Sequence, residues 1–423
     1  MSVQRPRLAF VSPSFLFPND TGGRIRTTNV LRGLKGGAFE VTLIGPASAQ
    51  QQVEWSRQLQ EVCDAFISWK QRPHRPRWRR ALDLLDSLPV NVAADRTASG
   101  LRAVRRTLAQ ERFDIVVFDF VHAAVLRPEG LDGATLCFTH NVEAEIFARH
   151  AAQASNRVMR RVWTSQHAKM QRFEREALCR FTSVVAVSER DAAQLRSQCG
   201  LPSVATIPTG VDLDFFGYAP GPSVDNRHPP TVVFTGSMDW DANVDGVRHF
   251  LAEAWPLIQG ERPDAKFVIV GRKPPAGLVD QAKALRGVRC TGFVDDVRLY
   301  VQAAHAFVIP LRVGGGTRIK AFEAMAMGCP VVSTAIGMEG LDVTPDRHFL
   351  LRDDAAGQAR AVLDLFHDAT LRRELSRRAR ECVESRFGHR VAAQAFERIC
   401  LQALQAHRSG HPTQPDAMAA QPA

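Results

Sequence analysis

The chain has 423 residues, which predicts two domains at roughly 100 to 200 residues each. Hydrophobic residues make up 45% and charged residues 23% of the sequence, as in ordinary globular proteins, and this excludes collagen-like, disordered and coiled-coil classes. The apolar runs are far shorter than the roughly 18 residues of a membrane span, and residues 1–7 lack the apolar core of a signal peptide. We therefore expect a cytoplasmic protein.

Charge is distributed unevenly along the chain. The net charge is +10, and residues 1–200 carry all of the excess, with 29 Lys+Arg against 19 Asp+Glu. The densest run, from Lys70 to Arg80, has six cations and no acidic residue, and we expect it to be exposed together with Trp69 and Trp78. Such a run can attract an anionic membrane surface, which would place the protein at the inner face of the membrane. A solvated basic surface is the alternative, and the lack of interleaved aromatic stacking motifs argues against nucleic acid as a partner.

Short apolar runs alternate with longer helical stretches, the pattern of strands buried on both faces of a parallel sheet. The first set lies at residues 7–12, 40–44, 114–118, 135–138, 183–187 and 204–207, and the second at 231–235, 266–270, 288–291, 306–309 and 331–333. Residues 208–230 between the two sets are dense in Gly and Pro and predict a linker. We therefore predict an α/β protein with two Rossmann-like, doubly wound parallel-sheet domains that face a cleft.

The predicted domains are 1–208 and 209–387, and the polar segment 408–423 is expected to be a disordered tail. The eight cysteines include no CxxC pair, so reduced, mostly buried thiols are expected rather than disulfides or a zinc site.

A glycine pair follows the first predicted strand. Gly22 and Gly23 stand where a helix begins, and glycine there lets backbone N–H groups approach an anion closely. Arg24 and Arg26 follow in the first turn, where the helix dipole disfavours cations. This placement indicates a phosphate or acceptor site, whereas a tight turn with solvated arginines is the alternative.

Polar residues also follow two other predicted strands. His140, Asn141 and Glu143 come after the strand at 135–138, at the edge of a parallel sheet where ligands bind. A histidine there can donate a hydrogen bond to developing charge or to a sugar hydroxyl. Gly236 and Ser237 occupy the corresponding turn of the second set and predict another amide-lined anion site.

The densest signal lies at residues 310–332. A glycine-rich loop between a strand and a helix comprises Gly314, Gly315, Gly316 and Thr317. Arg318 and Lys320 stand in the first helical turn, and Glu323 follows one turn after Ile319. Amides and two cations suit a diphosphate, and the acceptor-only carboxylate of Glu323 suits ribose hydroxyls. A core helix would not need two cations placed against its dipole.

These motifs together resemble glycosyltransferase family 4, the retaining enzymes of GT-B fold. The resemblance rests on GGGTRIKAFEAMAMGCPVVST at 314–334, FTGSM at 234–238, TGFVDDV at 291–297, IPTGVD at 207–212, PNDTGG at 18–23 and HNVE at 140–143. It extends to about residue 398 and points to a branch found with bacterial exopolysaccharide systems.

The resemblance implies roles for individual residues. Gly22 and Gly23 match the family's N-terminal glycine loop near the donor diphosphate and acceptor, and His140 matches the histidine that contacts the transferred sugar. Glu323 matches the second glutamate of the family's Glu-x7-Glu motif, which binds the donor ribose.

The resemblance also implies that the backbone of Phe293 and Val294 contacts the nucleobase, and that a C-terminal helix at about 388–407 completes the N-terminal domain.

The chain departs from the family pattern at two places. Gly315 occupies the place of the first glutamate, which touches the donor sugar. The family's Gly-Arg...Lys cations after the first strand of the donor domain are replaced by Gly236-Ser237 and, near the place of the lysine, by residues 242–243.

The sequence therefore predicts a glycosyltransferase that needs neither metal nor cofactor. The expected donor is a nucleotide-diphosphate sugar, and the expected acceptor is a glycan or a lipid-linked molecule of exopolysaccharide or cell-envelope biosynthesis. Arg318, Lys320 and the loop amides would stabilise the leaving diphosphate oxygen. The DxD strings at 212–214 and 239–241 are interpreted as part of the linker and as a helix cap. A nucleotide-sugar epimerase of the same fold and a catalytically silent nucleotide-sugar-binding protein are the alternatives.

Overall fold

The computed structural model describes residues 5–19, 21–70, 83–84, 86–154, 156–219, 229–313 and 318–409. The chain divides into two compact units, one formed by Met1–Gly210 with His389–Ala423 and the other by Val211–Gly388. Within the described ranges, each unit holds one parallel sheet flanked by helices. The prediction of two Rossmann-like parallel-sheet domains is confirmed.

The sheet of the first unit has the strand order β3-β2-β1-β4-β5-β6-β7, and every neighbouring pair is parallel. Its strands are β1 (Arg7–Val11), β2 (Glu40–Pro46), β3 (Ala65–Trp69), β4 (Ile115–Asp119), β5 (Ala134–Phe138), β6 (Ser183–Ala186) and β7 (Ala205–Thr206). Its helices are α1 (Gly22–Leu34), α2 (Ala49–Glu54), α3 (Ser56–Val62), α4 (Val90–Asp95), α5 (Ala98–Gln110), α6 (Glu143–Gln153), α7 (Arg157–Leu178) and α8 (Glu189–Cys199), with a 3-10 helix at Val121–Leu126. The central strands β4 and β5 are buried along their whole length, because helices cover both faces of such a sheet.

The sheet of the second unit repeats this pattern in the order β10-β9-β8-β11-β12-β13. Its strands are β8 (Thr231–Thr235), β9 (Lys266–Val270), β10 (Val288–Gly292), β11 (Ala306–Ile309), β12 (Val331–Ser333) and β13 (Leu350–Leu351). Its helices are α9 (Asp241–His249), a π-helical turn (Phe250–Ala254), α10 (Trp255–Glu261), α11 (Ala276–Ala284), α12 (Arg298–Gln302), α13 (Ile319–Ala326), α14 (Ala355–His367) and α15 (Ala369–Arg386), with a 3-10 helix at Ile336–Met338. In both sheets the strand order reverses beside the first strand, between β1 and β4 and between β8 and β11. Ligands of such folds bind at the carboxyl ends of the strands at this point.

The last helix, α16 (His389–Ser409), packs in the first unit, where the Phe396 ring lies 6.4 Å from that of Phe10 and 5.0 Å from that of Phe138. Residues 408 and 409, which were predicted to belong to a disordered tail, are part of α16, and the guanidinium of Arg408 lies 2.7 Å from Asp114. Residues 410–423 lie outside the described part of the chain.

Three sequence expectations are wrong in detail. Trp69, expected to be exposed, is buried against Val104 and Phe118 because it is the last residue of β3. The predicted linker is too long, since Val211 is buried and pairs with Gly388 in the second unit. The strands β3 and β13 escaped prediction, because β3 is a half-buried edge strand without a continuous apolar run and β13 has only two residues.

All eight cysteines are free thiols and six of them are buried, as predicted. Among the helices in the described ranges, none combines the length and the apolar character needed to cross a bilayer.

Candidate functional site

The first unit carries a buried polar cluster at the carboxyl ends of β1, β4 and β5. His140, two residues beyond β5, has its Nε2 2.8 Å from Oδ1 of Asp119, the last residue of β4. The Asp119 carboxylate also accepts from Ser12 Oγ at 3.1 Å and from Thr27 Oγ1 at 3.0 Å. Because a carboxylate only accepts, His140 Nε2 carries the proton in this arrangement.

Arg26 lies on the other side of the imidazole, with its Nη1 3.4 Å from His140 Nδ1. Since a guanidinium only donates, Nδ1 is the accepting nitrogen, and burial lowers the pKa of His140 in agreement with a neutral ring. Burial also lowers the pKa of Arg26 to about 10, although the charges of Asp191 and Asp119 oppose that shift. Arg24 points elsewhere and donates to the carbonyl of Pro18 at 3.3 Å. The structure therefore separates the two predicted arginines: Arg26 is part of the cluster, whereas Arg24 contacts the loop before α1.

Aromatic rings enclose the imidazole of His140. The rings of Phe120 and Phe138 lie 4.0 and 4.3 Å from it, centroid to centroid, and the side chain is 1% exposed. Phe120 adopts a φ of +67°, a strained conformation for a bulky residue. A Cβ on Gly23 would lie 2.5 Å from Cζ of Phe120, so this close approach requires glycine at position 23. Gly22 is exposed and is the first residue of α1.

A second carboxyl group holds the loop that carries His140. The Glu174 carboxylate of α7 accepts from the backbone N–H of Glu143 at 2.7 Å and of Ala144 at 3.3 Å, at the start of α6. Burial raises the pKa of Glu174 to about 8. Asn141 Nδ2 donates to Glu143 Oε1 at 3.3 Å, so both predicted polar residues contact this start of the helix.

Sequence reasoning missed a second histidine in the first unit. His122 Nδ1 lies 2.5 Å from Asp95 Oδ2, and its ring stacks at 5.0 Å on Phe120, the residue whose ring also stacks on His140. Burial disfavours the charged ring, but the hydrogen bond to Asp95 and nearby carboxylates outweigh it and raise the pKa of His122. The available signal was a polar residue three positions beyond a buried strand, the same pattern that indicated His140.

In the second unit, Lys320 and Asn243 meet beside the end of β8. Lys320 Nζ donates to Asn243 Oδ1 at 2.8 Å, and Asn243 Nδ2 donates to the carbonyl of Ser237 at 2.8 Å. Lys320 Nζ also lies 4.3 Å from the centroid of the Phe234 ring. A Cβ on Gly236 would lie 2.8 Å from Asn243 Nδ2 and 3.0 Å from Lys320 Nζ. The lack of a side chain at Gly236 therefore leaves the space that the Lys320 ammonium occupies.

Lys320 and Glu323 form a pair of poorly solvated charges on α13. Burial lowers the pKa of Lys320 to about 7, and the charge of Arg318 acts in the same direction. Burial raises the pKa of Glu323 to about 7 against the opposing charge of Lys320. An anion placed beside Lys320 would favour its ammonium form.

Arg318 directly precedes α13 rather than lying in its first turn. Its guanidinium carbon lies 5.5 Å from the centroid of the Trp240 ring, and Nη2 donates to the carbonyl of Ile336 at 3.4 Å. Gly315, Gly316 and Thr317, which the sequence places in the donor site, lie outside the described residues.

Ser237 belongs to an exposed network that includes two cations not identified from the sequence. Arg272 Nε donates to Ser237 Oγ at 2.9 Å, and Ser237 Oγ donates to Asp239 Oδ1 at 2.5 Å. Lys273 Nζ lies 3.5 Å from Asp239 Oδ2. The capping interpretation of residues 239–241 is therefore wrong for Asp239, because the helix α9 has Trp240 at its N-cap and no side-chain cap. The signal for both cations was a Gly-Arg-Lys string directly after the buried strand β9.

The residues predicted near the nucleobase follow β10. Phe293 is 74% exposed, whereas Val294 packs partly against the apolar core of the second unit. Asp296 accepts from the backbone N–H of Arg298 at 2.9 Å, but it is not the cap of α12, which has Val297 at its N-cap and no side-chain cap.

Two family models match the chain. The model described as "Glycosyltransferase Family 4" matches residues 21–215, and the model described as "Glycosyl transferases group 1" matches residues 229–368. The first match covers most of the first unit, including Arg26, Asp119 and His140, and ends five residues into the second unit. The second match lies within the second unit and includes Lys320 and Glu323.

Individual proteins resemble the chain over most of its length. An uncharacterized 44.6 kDa protein in the cps region of Klebsiella pneumoniae is 20% identical over 85% of this chain and 90% of its own length. The structure of sucrose-phosphate synthase from Thermosynechococcus elongatus superposes with a TM-score of 0.70 at 19% identity, covering 95% of this chain and 100% of the other. Anabaena HepE, crystallised with UDP-glucose, superposes with a TM-score of 0.59 at 14% identity, covering 93% and 99% of the two chains. At these identities the structural likeness shows the GT-B fold alone. The two family models, which together match residues 21–215 and 229–368, show that the chain belongs to glycosyltransferase family 4.

Proposed function

We propose that this glycosyltransferase takes a sugar from a nucleotide-diphosphate sugar and transfers it, with retention, to a glycan or lipid-linked acceptor. The observation that carries the proposal is the arrangement of Lys320 at Gly236 with Glu323 one turn further along α13. A relative crystallised with UDP-glucose supports the donor class, and a relative in a cps region supports a role in exopolysaccharide or cell-envelope biosynthesis.

The second unit is the proposed donor side. Lys320 and Arg318 would stabilise the negative charge that grows on the diphosphate as the bond to the anomeric carbon breaks, together with the amides of Gly315, Gly316 and Thr317. Glu323 would accept hydrogen bonds from the ribose hydroxyls. The backbone of residues 293–294 would contact the nucleobase. Two protein cations at the leaving group make a metal ion or other cofactor unnecessary in this proposal.

The first unit is the proposed acceptor side. Gly22 and Gly23 offer backbone N–H groups at the start of α1, where an anion is favoured. His140 has both ring nitrogens engaged within the unit, so it would act on the transfer by fixing Arg26 and the loop at 139–142. His140→Ala is then expected to lower turnover more than donor affinity. An unchanged turnover would limit His140 to a role in folding.

A panel of UDP-, GDP-, ADP- and dTDP-sugars tests the donor class by thermal shift. A donor at 100 times its Kd adds about 2.7 kcal/mol to the free energy of unfolding. The absence of a shift with every member of the panel would contradict the proposal. The same panel with EDTA tests metal independence, because chelation is expected to leave binding and turnover unchanged.

Transfer itself is tested with the donor identified in that panel. The anomeric configuration of the product, read by NMR, is expected to match that of the donor, and inversion would refute retention. Donor turnover without any acceptor would favour an epimerase. Donor binding without release of the nucleoside diphosphate would favour a silent binding protein.

The basic run from Lys70 to Arg80 is the proposed contact with an anionic membrane surface. Lys70 is exposed, and residues 71–80 lie outside the described part of the chain. Replacing Arg75, Arg77, Arg79 and Arg80 by Ser is expected to reduce binding to anionic vesicles at low salt and to leave donor binding intact. Equal vesicle binding by parent and variant would point to a solvated surface and a soluble acceptor.

A further inference from the structure

We propose that Arg272 is an additional diphosphate-binding residue of the donor site, oriented for that role by Ser237. The inference rests on the proposed use of a nucleotide-diphosphate sugar. It adds a cation from the end of β9 to Arg318 and Lys320 at the start of α13.

The backbone places Arg272 beside the turn after β8. The Gly236 N–H donates to the carbonyl of Val270 at 3.0 Å, and the Met238 N–H donates to the carbonyl of Arg272 at 3.0 Å. The two chains therefore continue side by side beyond the ends of their strands. A Cβ on Gly271 would lie 1.8 Å from the carbonyl oxygen of Gly236, so only glycine permits this approach.

Side-chain hydrogen bonds then fix the direction of the guanidinium. Arg272 Nε donates to Ser237 Oγ at 2.9 Å, and Ser237 Oγ donates to Asp239 Oδ1 at 2.5 Å. With Nε occupied, the two Nη groups of the exposed guanidinium make no hydrogen bond to the described residues and remain available as a fork. Such a fork matches two oxygens of a phosphate better than a lysine ammonium does.

Ser237 connects Arg272 to the part of the donor site that contains Lys320. Its carbonyl accepts from Asn243, which in turn holds Lys320, so Arg272 and Lys320 are both anchored to the turn that follows β8. Asp239 is the carboxylate of the network, and Lys273 lies 3.5 Å from it. The balance of Arg272, Lys273 and Asp239 is positive, which suits an anionic ligand.

A purely structural role for Arg272 would have a different consequence. If the residue only stabilised the junction of β8 and β9 through Ser237, its removal would lower stability and would weaken nucleoside and nucleoside diphosphate equally. The comparison of UDP with uridine distinguishes these roles, because only UDP carries the diphosphate.

The test measures UDP binding by calorimetry and uridine binding by competition in the full chain. Arg272→Ala is expected to bind UDP about tenfold more weakly and uridine unchanged, and Arg272→Lys should fall between Arg272→Ala and the parent. Ser237→Ala should weaken UDP binding, and adding it to Arg272→Ala should cause no further loss, since the two residues act as one unit. Arg360→Ala is the matched control, because Arg360 is an exposed arginine of the same unit paired with Asp364 at 3.1 Å.

Parent-like UDP affinity in Arg272→Ala, or an equal loss of UDP and uridine, would overturn the inference and leave the proposed function standing. GDP with guanosine and ADP with adenosine serve as the probe pairs if UDP does not bind. A parent protein that binds none of the three diphosphates would instead contradict the proposed function. If Arg272→Ala fails to fold, Arg272→Lys and Arg272→Gln make the same comparison.

Discussion

Each unit places a cluster of charged residues at an equivalent position of the same strand order. The two clusters differ in how far hydrogen bonds and opposite charges compensate their burial. In the first unit, the Asp119 carboxylate accepts from Ser12, Thr27 and His140, so its hydrogen-bonding capacity is well used inside the protein. In the second unit, Lys320 and Glu323 have pKa values displaced to about 7 because burial is poorly compensated.

This difference has a physical meaning. A satisfied buried network is rigid and adds specificity to the fold, whereas a buried charge with incomplete compensation costs stability until a ligand of opposite charge arrives. Asp119 and its donors therefore have the character of a scaffold, whereas Lys320 and Glu323 have the character of a binding site. Arg26 resembles the second pair, because its buried Nε has no hydrogen-bond partner among the described residues and burial lowers its pKa. The following variants test that distinction, beginning with the largest expected effect.

Asp119→Ala should destabilise the chain most. The substitution removes the acceptor of Thr27 and His140, while Ser12 keeps the carbonyl of Ser14 at 3.1 Å, and we expect a loss of about 3 to 5 kcal/mol in the free energy of unfolding. Urea unfolding followed by circular dichroism measures it. Asp364→Ala, which removes one exposed ion pair, is the control and should change the free energy by less than about 1 kcal/mol. Similar losses in the two variants would show that the cluster is not a stabilising scaffold.

Lys320→Met should differ from Asp119→Ala by having little effect on the free energy of unfolding and a large effect on the rate of sugar transfer. Removing a preorganised charge from the leaving group is expected to lower turnover by about 10²- to 10³-fold. The free energy of unfolding should change little, because a partly buried cation is replaced by an apolar side chain of similar length. Lys283→Met, at an exposed lysine of α11, is the matched control. Turnover close to the parent value would place the leaving-group charge elsewhere.

Glu323→Ala is expected to weaken donor binding about 10- to 100-fold, because the ribose hydroxyls lose a charged acceptor. Calorimetry with the donor nucleotide measures the change, and Glu323→Gln should lose less because its amide oxygen still accepts. Unchanged affinity in the alanine variant would remove Glu323 from the donor site.

The pH dependence of UDP binding should be the smallest effect. Above pH 7 the free protein loses the Lys320 ammonium, so binding must take up a proton and should weaken by up to about tenfold per pH unit. Below pH 7 the Glu323 carboxylate becomes protonated, so affinity should also fall on the acid side. Lys320→Arg keeps its charge and should flatten the alkaline limb alone. Calorimetry between pH 6 and about 9 gives the profile, and parallel profiles for parent and variant would contradict the assignment.

Much of the fold and part of the site could be predicted from local sequence. The buried strands appear as apolar runs because both faces of a parallel sheet are covered. Lys320 and Glu323 are three positions apart on a helix, and residues at this spacing lie next to each other on one helical face. Their proximity could therefore be predicted from the sequence. Gly22, Gly23 and Gly236 were identifiable because glycines between a strand and a helix signal a close approach.

The partners across each cluster could not be predicted in the same way. Asp119 is 21 positions from His140, Asp95 is 27 from His122, Ser237 is 35 from Arg272, and Asn243 is 77 from Lys320. No local periodicity relates residues so far apart.

The sequence by itself determined most of the segments that form strands, the turns that carry glycine and charge, and the family to which the chain belongs. Only the tertiary structure decided that Trp69 is buried, that Asp119 fixes the tautomer of His140, and that Arg272 reaches Ser237. The reason is that these contacts depend on which strands become neighbours and in what register. Strand order and register are set by the packing of the whole unit, so they cannot be predicted from a short stretch of residues.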